Sequence, residues 1–210
     1  MRKLNKVFNV LMLAICSFFF VSYVLRADGS SYIETIEGAS IRIEGVQGLR
    51  FNAKVLNSDG IKEKGFYLLK GAATVADLEA SLAAMSFNGK EVFKVVVPGE
   101  KADGSFGVVL TGVPSKGYLD DITAIPYVVN NSDVTFYVNP ITRSVGQVAI
   151  LMDMASGTII EEVQNIIDEL ARFTKTRYVD DNFEVSKGVK TGPHQYVDLK
   201  QYEFYNPTVT

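Results

Sequence analysis

From Gly48 to Leu56 apolar and polar residues alternate, with Leu49, Phe51, Ala53 and Val55 set against Arg50, Asn52 and Lys54. Successive side chains of an extended chain point to opposite faces, so this run must be a strand with one face in a core. Ala39 to Glu44 shows the same alternation, and Phe66 to Lys70, Val92 to Val97, Phe106 to Leu110, Ile122 to Val129 and Val134 to Val138 are further strand segments. Between them stand Asp59-Gly60, Asn88-Gly89, Asp103-Gly104 and Asn130-Asn131-Ser132-Asp133, the residues that turns require. The segments 122–129 and 133–138 are predicted to form a hairpin.

Three segments change to helical spacing, each opened by a capping box, in which a hydroxyl and a downstream side chain satisfy each other's backbone donors. Thr74 to Asp77 opens a helix with Val75, Leu78, Leu82 and Met85 on one face. Ser144 to Gln147 opens a second, with Val148, Leu151 and Met152 inward and Gly157 at its end. Thr158 to Glu161 opens a third, whose Ile159, Val163, Ile166, Leu170 and Phe173 recur every three or four residues. Glu161 and Glu162 suit its positive N-terminal end, Arg172 and Lys175 its C-terminal end. This stripe covers two heptads, fewer than the three or four of a coiled coil, and so predicts core packing. It must cover either an exposed sheet face or the helix begun at Ser144, and the sheet face is the expectation.

The chain is preceded by a basic start, Met1 to Lys6, and by 19 uncharged residues, Val7 to Leu25. At ~1.5 Å rise per residue such a helix reaches about 30 Å, the thickness of a bilayer core. Residues 1–27 therefore read as an export leader, either a signal peptide or an N-terminal membrane anchor. Arg2, Lys3 and Lys6 on its N-terminal side and Arg26 after it keep the short N-terminus inside. Residues 28–210 then work outside the cytoplasm, secreted or held to the membrane through residues 7–25. Cys16 is the only cysteine and reads as a small apolar residue of that helix.

The exported part has no cysteine and must be held by its own core. About 180 residues normally make one domain able to bury roughly 70% of its unfolded surface. It carries 17 Lys and Arg against 24 Asp and Glu, a net charge of −7 spread without acidic blocks or basic stripes. That argues against a nucleic-acid partner. The predicted fold class is α+β: an antiparallel β-sandwich-like domain with two or three packed helices over 28–173, preceded by one N-terminal hydrophobic helix. Residues 174–210 form an aromatic-rich tail with Tyr178, Phe183, Tyr196, Tyr202, Phe204 and Tyr205, expected to pack on the domain and to supply one or two edge strands around Val197 and Leu199.

Catalytic and metal chemistry finds little to use. His194 is the only histidine, beside Gly192-Pro193 and without a Gly-x-Ser-x-Gly elbow, and reads as a loop residue rather than a triad base. With no cysteine outside the leader, zinc and copper lack their usual ligands. Asp120-Asp121 and Asp180-Asp181-Asn182 with Glu184 match no calcium loop. The expectation is therefore a protein without catalytic residues, metal or cofactor. Arg42, Arg50 and Arg143 stand out as arginines set within apolar strands. Their donors fit a carboxylate or strand-end carbonyls, which with Gln47 would tie the first strands to a helix start. They also fit an anionic sugar, a peptide carboxylate or a phosphate, and so are the candidate ligand-binding residues.

The string GASIRIEGVQGLRFNAKV at 38–55 resembles the opening signature of a domain that recurs in surface and secreted proteins of Firmicutes and related gut bacteria. The phrase FGVVLTGVPSKGYLDDITAIPYVV at 106–129 and YVNPITRSVGQVA at 137–149 follow in that domain's order. The resemblance covers about residues 35–155 and implies an extracellular accessory or adhesive module. The helix at 158–173 and the aromatic tail lie beyond it. Together with the leader, this favours a non-catalytic surface module that binds or scaffolds an envelope protein or glycan. The alternatives are a carbohydrate-binding or glycan-active protein, and an assembly component whose tail adds a strand to a neighbour's sheet. The absence of tryptophan counts against the sugar reading.

Overall fold

A computed structural model describes residues 31–173 and 194–198 of the chain. Among these residues two larger, mainly antiparallel sheets, a small two-stranded sheet and three helices make an α+β fold. The strands are β1 (Ile33–Arg42), β2 (Gly48–Val55), β3 (Ile61–Lys70), β4 (Ser86–Phe87), β5 (Lys90–Glu91), β6 (Phe93–Val96), β7 (Ser105–Thr111), β8 (Ile122–Asn130), β9 (Thr135–Tyr137), β10 (Ile141–Arg143) and β11 (His194–Asp198). The helices are α1 (Val75–Ser81), α2 (Val145–Ser156) and α3 (Glu161–Phe173). One sheet has the order β1-β2-β7-β11; the other runs β10-β8-β3-β6, with β9 also pairing β8. The hairpin expected at 122–138 is present as β8 and β9.

Alternation decides which side chains meet. Leu49, Phe51 and Ala53 of β2 lie opposite Leu110, Val108 and Phe106 of β7, and all six are at most 1% exposed. From the other sheet Phe66, Leu68, Ile122 and Ala124 join the same core, and the Phe66 and Phe106 rings meet at 5.4 Å. Lys64 reaches into this core too. Its ammonium pairs with Glu100 at 2.5 Å and lies 5.7 Å from the Phe106 ring centre, which gives a buried cation the partners it needs.

The second sheet carries its own cover on the opposite face. Tyr67, Leu69, Ile125 and Tyr127 pack with Leu78 of α1 and with Val92, which follows the β4–β5 hairpin. Gly65 lies beneath the Tyr127 ring; a Cβ there would stand 3.1 Å from the ring and 1.9 Å from the Val95 carbonyl. Thr123 Oγ1 donates to the Gly71 carbonyl at 2.6 Å and accepts from Ala73 N at 3.1 Å, pinning the chain that enters α1.

The capping boxes at Thr74 and Ser144 form as expected, and Gly157 ends α2 in the left-handed region at φ +64°. Three expectations need correcting. Met85 lies beyond α1, at φ +46° and 36% exposed, rather than on its apolar face. Thr158 does not cap α3. The turn after Gly157 uses Thr158 and Ile159, and the helix begins at Glu161 with the Ile160 carbonyl accepting from Gln164 N at 2.9 Å. Ile159 is left 82% exposed, while Ile160 packs on the core with Val163, Ile166 and Leu170. Both isoleucines satisfy the helical spacing, so periodicity could not choose between them. Finally, α3 packs chiefly along α2 and not on a sheet face. The contact is allowed by Gly146, where a Cβ would sit 2.8 Å from Leu170 Cδ1 and 3.0 Å from the Tyr118 carbonyl.

β1 starts earlier than the alternation suggested, at Ile33, because its register with β2 slips between Ile36 and Ser40 around Gly38 at φ +79°. The short β10 was not foreseen. The expected hydrophobic helix at 7–25, with Cys16, and the tail residues Tyr178, Asp180, Asp181, Phe183, Glu184, Leu199, Tyr202, Phe204 and Tyr205 lie outside the described residues. No helix among the described residues is long and apolar enough to cross a membrane.

Candidate functional site

Among the described residues a concavity forms where the loops at one end of the core converge. The β1–β2 turn brings Val46 and Gln47, the end of β7 brings Leu110 to Val113, a short 3-10 turn after Pro114 presents Tyr118, and α2 begins alongside at Val145. Each loop has a local reason for its course. Gly45 turns at φ +74° with the Arg42 guanidinium packed on it, and Arg42 Nη1 donates to the Val46 carbonyl at 2.8 Å. Gly112 turns at φ +71°, and Gly146 N donates to the Tyr118 carbonyl at 2.7 Å, locking the 3-10 turn to the start of α2.

The resulting cleft measures about 420 Å³. Ile41, Leu49, Leu110, Val145 and Ile166 make its apolar floor; Gln47, Thr111 and Tyr118 add polar groups around it. The floor residues are nearly fully buried, so the groups a ligand would meet here are mainly the polar ones, with Val46 exposed beside them. Gln47 Nε2 also donates to the Glu162 carbonyl at 3.3 Å, fixing the β1–β2 turn to the first turn of α3. Burial, and then the charge of Glu169, push the Tyr118 phenol above its ordinary range, so it acts here as a neutral hydroxyl.

The arginines do not meet at this cleft as one set. Arg42 and Arg50 share the face of the β1–β2 ladder that points away from the core, as Ser40 opposes Arg50 and Arg42 opposes Gly48. Arg50 is 6% exposed and its Nε donates to Ser40 Oγ at 2.9 Å. Arg143 ends β10 in the other sheet, and its Nη1 donates to the Thr142 carbonyl at 2.7 Å. The Val46 carbonyl, the Ser40 hydroxyl and the Thr142 carbonyl are three separate acceptors, and Gln47 ties to α3 rather than to the helix begun at Ser144.

On the same outward face as Arg50, Asn52 is fully buried and, among the described residues, neither its Oδ1 nor its Nδ2 has a hydrogen-bond partner. It opposes Ile36 on β1 and Gly107 on β7. The alternation placed Asn52 on the polar side of β2 but could not show that this side is buried.

Asp120 forms an ion pair with Lys70 at 2.9 Å, and the Asp121 carbonyl accepts from Gly71 N at 2.8 Å, so this acidic pair serves a strand end. Among the described residues no three His, Cys, Asp or Glu side chains gather as a metal cluster. His194 begins β11 rather than lying in a loop. Comparison with protein families, with curated proteins and with solved structures found no match to any of them.

Proposed function

We propose that this chain is a non-catalytic module that binds or scaffolds an envelope protein or glycan outside the cytoplasm, using the loop cleft as its contact surface. The cleft carries this reading: it is concave, floored by aliphatic side chains and ringed by a carboxamide, a hydroxyl and a neutral phenol, groups that recognise by hydrogen bonding. The export leader at 1–27 and the resemblance of residues 35–155 to an extracellular domain support the location. The sandwich-like stacking of two sheets around one core would hold the loops on a rigid frame.

The test is retention of the purified chain on immobilised cell-wall glycans and envelope extracts. Gln47→Ala and Tyr118→Phe should each weaken retention by about tenfold, the worth of one or two lost hydrogen bonds, with the melting temperature unchanged for Tyr118→Phe and only slightly lowered for Gln47→Ala, which also gives up the bond to the Glu162 carbonyl. Retention that ignores both substitutions would remove the cleft from the contact surface. Turnover of a substrate by a chain that binds none of these materials would overturn the non-catalytic reading.

A further inference from the structure

We infer that β11 is an exchangeable strand, and that the edge of β7 is the surface on which two copies of this chain join, each lending residues 194–198 to the other's sheet. This goes beyond the binding reading and does not depend on the cleft.

The pairing itself is the first reason. His194 to Asp198 run parallel to Gly107 to Thr111, whereas every other strand pair among the described residues is antiparallel. A parallel neighbour cannot be returned by a tight turn; it arrives by a long connection. Here 20 residues, 174–193, separate the end of α3 from β11. At roughly 3.3–3.6 Å per residue they can reach about 65–70 Å, while a domain of this size is on the order of 40 Å across. The connection therefore does not dictate which copy's β7 receives the strand. β9 is the contrast within the same molecule. Its turn, with Asp133 N bonded to the Asn130 carbonyl at 3.0 Å, leaves β9 no neighbour to pair but the strand beside it.

The receiving edge is the second reason. β7 is buried along its whole length and bound to β2 over six registered positions, from Leu49↔Leu110 to Lys54↔Ser105. Its other edge, Gly107 to Thr111, needs a strand, because unpaired backbone donors and acceptors are costly when dry and are a template for any extended segment. The ladder gained is the same whether the strand comes from within or from a neighbour. What differs is concentration: a covalent connection typically supplies an effective concentration in the mM range, so exchange competes once copies are crowded to about that level.

The experiment uses the full chain in a Cys16→Ser background. Val109 and Tyr196 are register partners, so copies carrying Val109→Cys are mixed with copies carrying Tyr196→Cys, concentrated towards about 1 mM and oxidised. A disulfide-linked heterodimer is expected, in at least about tenfold greater yield than from Val109→Cys mixed with Asp198→Cys, which is two positions out of register. Light scattering of the unsubstituted chain should show a dimer that grows with concentration. Val197→Pro should abolish it while leaving cooperative unfolding intact, since proline removes a ladder donor. A chain that stays monomeric throughout, or a dimer that Val197→Pro leaves undiminished, overturns the inference. Association through residues 7–25 would give that second result.

Discussion

Both sheets bury side chains on the face turned away from the shared core, and they do it with opposite chemistry. On the second sheet the buried set is Tyr67, Leu69, Ile125 and Tyr127 beneath Leu78. On the first it is Ser40, Arg50, Asn52 and Ser105, with Val109 the apolar exception. The aromatic face follows the usual economy of a core, with its polar atoms still paired: Tyr127 Oη donates to Glu63 Oε1 at 2.9 Å and Lys94 Nζ meets the same oxygen at 2.7 Å, 5.2 Å from the Tyr127 ring centre. The polar face does not. Arg50 and Ser40 bond each other, yet Asn52 keeps two buried groups without partners among the described residues, which folding alone does not reward. One face is built for stability, and the other holds polar chemistry that stability does not explain.

The largest test falls on the aromatic face. Leu78→Ala should cost about 2–5 kcal/mol, because a fully buried leucine leaves both lost transfer energy and a cavity. Leu170→Ala, between α2 and α3 and on neither outward face, should cost a similar amount and serves as the benchmark. Denaturant titration measures both. If Leu78→Ala cost well under 1 kcal/mol, the cover formed by α1 would not be part of the cooperative unit.

The polar face should answer with the opposite sign. Asn52→Leu replaces an unpartnered buried amide by an apolar group of similar size, and should stabilise the chain by about 1–3 kcal/mol. Destabilisation of that size would mean that Asn52 does find hydrogen-bond partners in solution, and the contrast between the faces would collapse. Ser40→Ala, which deprives Arg50 Nε of its acceptor, should cost about 1 kcal/mol in the same titration.

Much of this architecture could be read from local pattern. The alternation of Leu49, Phe51 and Ala53 put these side chains in the core, and hydroxyls three residues before Asp77 and Gln147 started two helices where the structure has them. The misreadings came where two local solutions are equivalent or the deciding partner is remote. Ile159 and Ile160 fit one helical stripe equally well, and only the turn after Gly157 selects the second. Alternation gave Arg50 and Asn52 a polar face, but burial is a property of the assembled sheet. Of the candidate arginines, Arg42 and Arg50 do share a face, while Arg143 belongs to the other sheet. The cleft was not visible at all, since Gln47, Thr111, Tyr118 and Val145 are brought together only by the fold.

The smallest effect separates the two faces by proton. Guanidinium, carboxamide and hydroxyl groups do not titrate between about pH 4 and 10, so Arg50, Asn52 and Ser40 give the polar face no pH dependence of its own there. The aromatic face does titrate. The hydrogen bond from Lys94, helped by that from Tyr127, holds the Glu63 carboxyl below its ordinary value, so the folded state binds that proton less tightly than the unfolded chain. The stabilisation is then fully present above the unfolded value near pH 4.5 and is lost as pH falls through the lower folded value. Glu63 is partly open to solvent, so the contribution should be a few tenths to about 1 kcal/mol. Asp77 and Asp103, lowered by bonds from Thr74 and Ser105, act in the same direction, so Glu63→Gln should flatten only part of the acid limb of a melting-temperature profile. At the basic end burial raises Tyr127 and pushes Tyr137 up to about 12. The unfolded chain releases those protons first, so stability should fall as pH climbs above about 10. Ultraviolet titration of the phenols should show a late fraction that ionises together with unfolding. If all the tyrosines ionised near pH 10 with the fold intact, the aromatic face would be open to water, and its contrast with the polar face would be one of composition alone.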